Sequence, residues 1–176
     1  FAAEVRKEGL DWADLTEEER NRIIDSCLDQ VSADYGNTVL KSSARNEYMI
    51  ERTRRILRRT VWALQEQLKH GAFRPEGFEV RFQGGRIDRV DIMEEPENNR
   101  VYVKVIDYKT GNTSFDLLAL YHGLQLQLMV YMNAACEEQR RKDQKCIVIP
   151  AGILYYHIDD PLVASRNFQD FVGEQN

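Results

Sequence analysis

Asp107, Tyr108 and Lys109 stand in succession at the end of a β-branched run that contains Val101, Val103, Val105 and Ile106. Residues two apart on a strand leave by the same face, so Asp107 and Lys109 would project together. Nineteen positions before Asp107 lies Asp88, closing the stretch Gly85-Arg86-Ile87-Asp88. A hairpin between the two stretches would set Asp88 beside Asp107. Two carboxylates and a lysine converging on one side of a sheet suit a hard divalent cation, because Mg²⁺ takes oxygen ligands, keeps several waters and uses one or two carboxylates plus a substrate phosphate. Such an ion polarises a phosphate and lowers the pKa of an attacking water. A lysine beside it would orient that water or offset charge developing on phosphorus.

The triplet Asp-x-Lys is a weak signal, expected by chance roughly half a time in a chain of this size. Its other reading is a salt-bridged pair on an exposed strand face. The apolar surroundings of both strands argue for covered carboxylates, which are costly unless a cation or hydrogen bonds compensate. The residues alone leave a metal site and a structural ion-pair network both open. Gln127 and Tyr131 lie four apart on one helix face. They either present polar tips over the sheet or are an ordinary helix residue and a core residue.

Positioning these groups requires a scaffold whose pattern changes along the chain. Thr16 followed by Glu19 is a capping box, opening a helix to about Tyr35 with Ile23, Ile24, Cys27, Leu28 and Val31 at helical spacing. A second helix is expected from Ser43 to His70, ended by Gly71 and Pro75. Arg52, Arg54, Arg55, Arg58 and Arg59 crowd its middle. They would touch a phosphate backbone or pair with Glu47 and Glu51 on a solvated face. Extended segments follow at 78–82, 86–94 and 101–108, separated by Gly84-Gly85 and by Pro96 to Asn99; connections this short predict an antiparallel meander. Thr110-Gly111-Asn112 breaks the pattern. One long helix is expected from Leu117 to Arg141, then a strand from Cys146 to Ile158 interrupted by Pro150 and Gly152. This predicts a single α/β domain with a mixed β-sheet flanked by helices: a helical N-terminal part (1–75), a core of sheet and helix (76–160) and a tail (161–176).

With 176 residues, 43% hydrophobic and 30% charged, the chain is long enough for a real core. No apolar run reaches the roughly 18 residues of a membrane span, so no membrane partner is expected. The net charge of −5 excludes DNA binding by a basic coat; any nucleic-acid role must rest on a local site. Arg81, Arg86, Arg89 and Lys104 would form a local phosphate-binding rim or a solvated sheet face. Cys27, Cys136 and Cys146 match no zinc or disulfide spacing, which predicts unpaired thiols in a reducing cytoplasm. Phe1-Ala2-Ala3-Glu4-Val5 reads as mid-helix, suggesting a fragment of a longer polypeptide.

Taken together, Gly85 to Asp88, Asp107 to Gly111 and Gln127 to Tyr131 resemble the Gly-x-Ile-Asp, Asp-Tyr-Lys-(Ser/Thr)-Gly and Gln-x-x-x-Tyr motifs of the RecB/AddB branch of the PD-(D/E)XK nucleases. Order, spacing and strand–strand–helix context all agree. The stretches Leu40 to Arg45, Gly71 to Pro75 leading into Phe78-Glu79, Leu120 to Leu128, and Pro150 to Ile158 followed by Asp160-Pro161 resemble the AddB group within it. The resemblance implies a restriction-endonuclease-like fold and a Mg²⁺-dependent deoxyribonuclease, with Mn²⁺ able to substitute. It implies Asp88, Asp107 and the main-chain carbonyl of Tyr108 as metal ligands, Lys109 as the catalytic lysine, and Gln127 with Tyr131 positioning DNA. Glu79 is a possible further acidic residue, and Arg86 and Arg89 are candidate DNA contacts. The family also has a metal-binding histidine on an earlier helix, a place none of His70, His122 and His157 occupies; its loss by truncation would weaken metal binding and activity. The four cysteines of the group's iron–sulfur cluster have no counterpart here, so no cluster is expected. The implied setting is bacterial and cytoplasmic. Single-stranded DNA would be fed by the AddA helicase–nuclease during double-strand-break repair and recombination. A non-catalytic DNA-binding or subunit-assembly module on the same fold is the alternative.

Overall fold

The computed structural model describes residues 1–34, 44–110, 116–123 and 126–158. The expected helix end at Tyr35, the Leu40 to Ser43 stretch, Gly111, Gln125, Asp160, Pro161 and the tail lie outside the described residues. Helix α1 is Ala2–Lys7 and α2 is Glu17–Asp34. The capping box closes as its spacing demands. The Thr16 hydroxyl accepts from the Glu19 amide at 3.2 Å, and the Glu19 carboxylate accepts from the Thr16 amide at 2.9 Å and its hydroxyl at 2.8 Å. These bonds hold the Glu19 pKa below the ordinary carboxylate value. A depressed folded-state pKa contributes stability that is present above the unfolded value and lost as pH falls through the folded one. Glu19→Ala is therefore expected to lower the melting temperature at neutral pH. The deficit should close below about pH 4, which thermal melts across pH would read.

Helix α3, Ala44–Lys69, packs on α2. Its arginines reach farther than expected: Arg54 and Arg58 pair with Asp25 of α2 at 2.9 and 3.0 Å, and Arg54 pairs with Glu51 at 3.4 Å. Gln65, wholly buried, donates to the Leu15 carbonyl and accepts from Arg20 at 2.6 Å. The C-terminal end of α3 is closed by Arg74, whose guanidinium donates to the carbonyls of Leu68, Gly71 and Phe73. No described helix is long and apolar enough to cross a membrane.

The meander forms as its short connections require. Strands β1 (Arg74–Phe82), β2 (Gly85–Glu95) and β3 (Arg100–Lys109) pair antiparallel. A 3-10 turn at Pro96–Asn98 joins β2 to β3, and Asn99 follows it in a left-handed conformation. Strand β4 (Ile147–His157) then adds parallel to β3, completing a mixed sheet of order β1-β2-β3-β4. The sequence break at Pro150 and Gly152 becomes a bulge: Val103 pairs with Pro150 but Lys104 with Gly152, so Ala151 is the extra residue.

The single helix expected from Leu117 to Arg141 is instead two, α4 (Leu117–Tyr121) and α5 (Gln127–Lys142). Asp116 caps α4 by accepting from the amides of Leu118 and Ala119, and Gly123 takes φ +77. A glycine in the left-handed region stops a helix, and apolar periodicity running through it hides the stop. Leu117 and Tyr121, apolar residues at helical spacing, are 72% and 85% exposed. Helix α5 crosses one face of the sheet, where Leu128, Tyr131, Met132, Ala135 and Cys136 pack with Val90, Val103, Val105 and Val148.

Candidate active site

Val103 and Val105 put the α5 side of β3 in the core, so alternation carries Asp107 and Lys109 onto that same side. Asp107 is buried at 4% exposure. Its Oδ2 is shielded from solvent and pairs with Lys109 Nζ, 2.5 Å away. That contact with Asp107, assisted by the fields of Tyr155 and Asp88 against a partial desolvation, raises the Lys109 pKa above its ordinary value. Lys109 is therefore a cation throughout the neutral range and cannot serve as a base. Its ammonium also sits 5.4 Å from the centre of the Tyr155 ring.

Asp88 reaches the site by a different route from a face-to-face pair. The β2–β3 pairing runs from Glu95↔Arg100 to Arg89↔Ile106. One position beyond, Asp88 Oδ2 accepts from the Tyr108 amide at 2.9 Å. A side-chain carboxylate has thus taken the place of a ladder carbonyl at the seam between the strands. A strand residue's amide and carbonyl point to the same neighbour, so the Tyr108 carbonyl faces this seam too.

The reason for the changed direction lies in β1. In a regular strand Phe78, Val80 and Phe82 would share a face. Here Phe78 stacks on Trp12 at 5.4 Å, while Val80 and Phe82 pack under α5. Glu79 between them has φ +52, a conformation costly for a non-glycine residue. The switch is matched on β2: Arg89, opposite Phe78, faces the rear, and Ile87, opposite Val80, joins the α5 cluster. Asp88 sits at that crossing.

On α5, the Gln127 side-chain amide donates to the Tyr131 hydroxyl at 2.5 Å, so the two polar tips join each other. Tyr131 itself is buried with its ring 5.7 Å from Phe82. A Cβ on Gly85 would meet the Phe82 ring at 3.2 Å and Tyr131 at 3.6 Å. The glycine that opens the first motif is what lets α5 approach β2.

Behind the sheet the structure corrects one expectation. Arg89 is not a surface contact for DNA: it is fully buried, forked onto buried Asp91 at 2.6 and 2.9 Å. Burial works to strip its proton, but the Asp91 pair outweighs it and the pKa is raised. Lys104 completes the pair 3.0 Å from Asp91 and 4.5 Å from the Phe73 ring centre, so it too faces inward. Arg89 also donates to the Tyr108 hydroxyl at 3.5 Å, and the Tyr108 ring meets Tyr156 edge-on. The residue between Asp107 and Lys109 is thereby held from the rear. Arg86 remains outside, in an exposed ion pair with Glu79 at 2.5 Å.

Sequence reasoning passed over Asp91, although an arginine and an aspartate two apart on an apolar strand signal a buried pair. It also passed over Tyr155 and His157, which β4 sets beside Asp107 and Lys109; only the parallel pairing reveals them. Among the described residues no three His, Cys, Asp or Glu side chains form a ready-made metal cage. Two carboxylates and a carbonyl make the sparser kind of set that Mg²⁺ accepts, with water and phosphate filling the rest. The buried Asp107 carboxylate fits such an ion, because burying a carboxylate is costly unless positive charge compensates it, a task an ion would share with Lys109.

Comparison with known proteins finds that residues 3–176 match the PD-(D/E)XK nuclease superfamily. The chain is 42% identical over 175 residues to an ATP-dependent helicase/deoxyribonuclease subunit of Lachnoclostridium phytofermentans, covering 95% of this chain and 15% of that protein. The subunits of the same name from Alkaliphilus metalliredigens and Alkaliphilus oremlandii are 36% and 37% identical over 183 residues, each alignment covering 93% of this chain and 16% of the relative. The chain thus spans about a sixth of the length of these curated relatives.

Proposed function

The chain belongs to the PD-(D/E)XK nuclease superfamily, and on that footing we propose that it hydrolyses DNA phosphodiester bonds with a divalent cation, Mg²⁺ or Mn²⁺. Asp88, Asp107 and the main-chain carbonyl of Tyr108 would hold the ion. Its chemistry, when bound, is to polarise the scissile phosphate and acidify the attacking water. The observation that carries the reading is the shielded Asp107 oxygen beside a cationic Lys109, one strand from a carboxylate fixed at the seam.

The chain's own groups divide the remaining work. Asp88 is held by the Tyr108 amide through one oxygen, and its other oxygen is the one offered to a ligand. Lys109, kept protonated, donates hydrogen bonds to a phosphate oxygen or to the attacking water and offsets charge growing on phosphorus. Gln127 and Tyr131 supply polar groups from α5 that position the strand. Arg86, exposed in its pair with Glu79, would contact a phosphate.

Single-stranded DNA is the proposed substrate, delivered by a helicase partner of the AddA kind in the bacterial cytoplasm during double-strand-break repair. The names of the relatives, which join helicase to deoxyribonuclease, support this setting. An end-labelled single strand should be degraded when Mg²⁺ or Mn²⁺ is added and left intact in EDTA. Cutting that persists in EDTA would remove the metal mechanism.

A further inference from the structure

The arginine-rich middle of α3 divides between two faces. Arg54 and Arg58 turn to Asp25 on α2. On the side opposite the buried Val61, Leu64, Gln65 and Leu68, Tyr48, Arg52, Arg55, Arg59 and Trp62 follow one another at intervals of four, three, four and three residues. That spacing aligns them in one stripe, about 21 Å long at 1.5 Å per residue. Tyr48 and Trp62 are 56% and 53% exposed, an unusual setting for such large rings. An open depression of about 350 Å³ runs alongside, lined by Glu51, Arg54, Arg55, Arg58 and Arg59. Glu51 flanks the stripe one turn before Arg55, and Glu66, the next position along it, is paired with Lys69, so arginines outnumber carboxylates on this face.

We infer that this face of α3 binds single-stranded DNA. Its guanidinium groups would sit on successive phosphates, and its two rings would stack on bases. Aromatic platforms interleaved with cations are how proteins hold single strands without reading sequence, since every base has a π-face. The stripe gives a chain of net charge −5 a local surface of the opposite sign, complementary to a polyanion. It lies on a helix separate from the strands that carry Asp88, Asp107 and Lys109, so it is a holding surface and not part of the reacting centre. The choice of DNA as occupant rests on the hydrolysis reading above; an acidic protein surface is the competing occupant.

The test is fluorescence anisotropy of a labelled oligo-dT of about 16 nucleotides in EDTA, where hydrolysis is switched off. The double variant Arg55→Gln/Arg59→Gln should bind at least tenfold more weakly. Its slope of log affinity against log salt should be shallower by about 1.4, or 0.7 per lost phosphate contact on a single strand. Trp62→Leu should weaken binding about tenfold and leave the salt slope unchanged, because stacking releases no counterions. All three positions are outward-facing, so circular dichroism should show helix content intact. Wild-type protein that fails to bind oligo-dT, or a double variant with unaltered affinity and slope, overturns the inference. Binding through α3 without cutting in Mg²⁺ would sink the hydrolysis reading alone. Cutting by a chain whose glutamine variant binds normally would sink this one alone.

Discussion

Asp107→Asn is expected to reduce DNA hydrolysis by on the order of a thousandfold, the scale seen when a preorganised electrostatic partner of the reacting group is removed. The substitution keeps the shape of the side chain and deletes its charge. In the folded chain that charge is almost wholly buried, with Lys109 beside one oxygen. A carboxylate so placed opposes folding, and active sites commonly carry such a burden in exchange for function. The melting temperature of Asp107→Asn should therefore equal or exceed that of the parent while activity disappears. Lys109, which owes its raised pKa first to Asp107, should move back toward the ordinary lysine value. Calorimetry with Mn²⁺ should show the loss of ion binding. A variant that keeps hydrolysis and Mn²⁺ affinity would end the proposal that Asp107 is a ligand.

Arg89→Met should produce the largest loss of stability, about 3–5 kcal/mol. The substitution leaves Asp91, which has no exposed surface, with Lys104 as its remaining ion-pair partner. Most of the cost comes from leaving that buried charge with half its compensation and not from the attraction removed. The triple variant Arg89→Met/Asp91→Leu/Lys104→Met should recover a large part of it, because an apolar set of similar volume avoids all three desolvation penalties. In a thermal melt the single variant would fall by about 10 °C. The same change also frees the Tyr108 ring from the rear of the sheet, so Mn²⁺ affinity should weaken by about tenfold, as for loss of an outer-shell partner. An Arg89→Met protein that melts with the parent would mean that the Arg89–Asp91 pair carries none of the sheet's stability.

How much of this was legible in the residues alone follows the range of each interaction. The Thr16–Glu19 box, the Gly84-Gly85 turn and the Pro96 to Asn99 turn closed as read, because the groups that bond are three or four residues apart and no other part of the chain competes for them. The side-by-side placement of Asp107 and Lys109 was also legible, since period two is a property of any extended strand. Helical periodicity failed at Gly123, where one residue's left-handed φ outweighed the apolar repeat around it.

The strand faces were beyond sequence reasoning for a different reason. A strand covered on both sides has no polar face to mark its orientation, so nothing in Ile87-Asp88-Arg89-Val90-Asp91 says which residues look toward α5. That choice came from packing: Phe78 found Trp12, Val80 found α5, and the strained turn of Glu79 between them carried Arg89 inward and Asp88 into the seam. The parallel docking of β4, which sets Tyr155 and His157 beside Asp107 and Lys109, likewise depends on a crossover whose partner no local pattern encodes. Residue types and spacing were enough to single out the groups that we propose for metal-assisted hydrolysis. The direction from which each arrives was settled by contacts between elements far apart in the chain, whose free energy exists only once those elements have met.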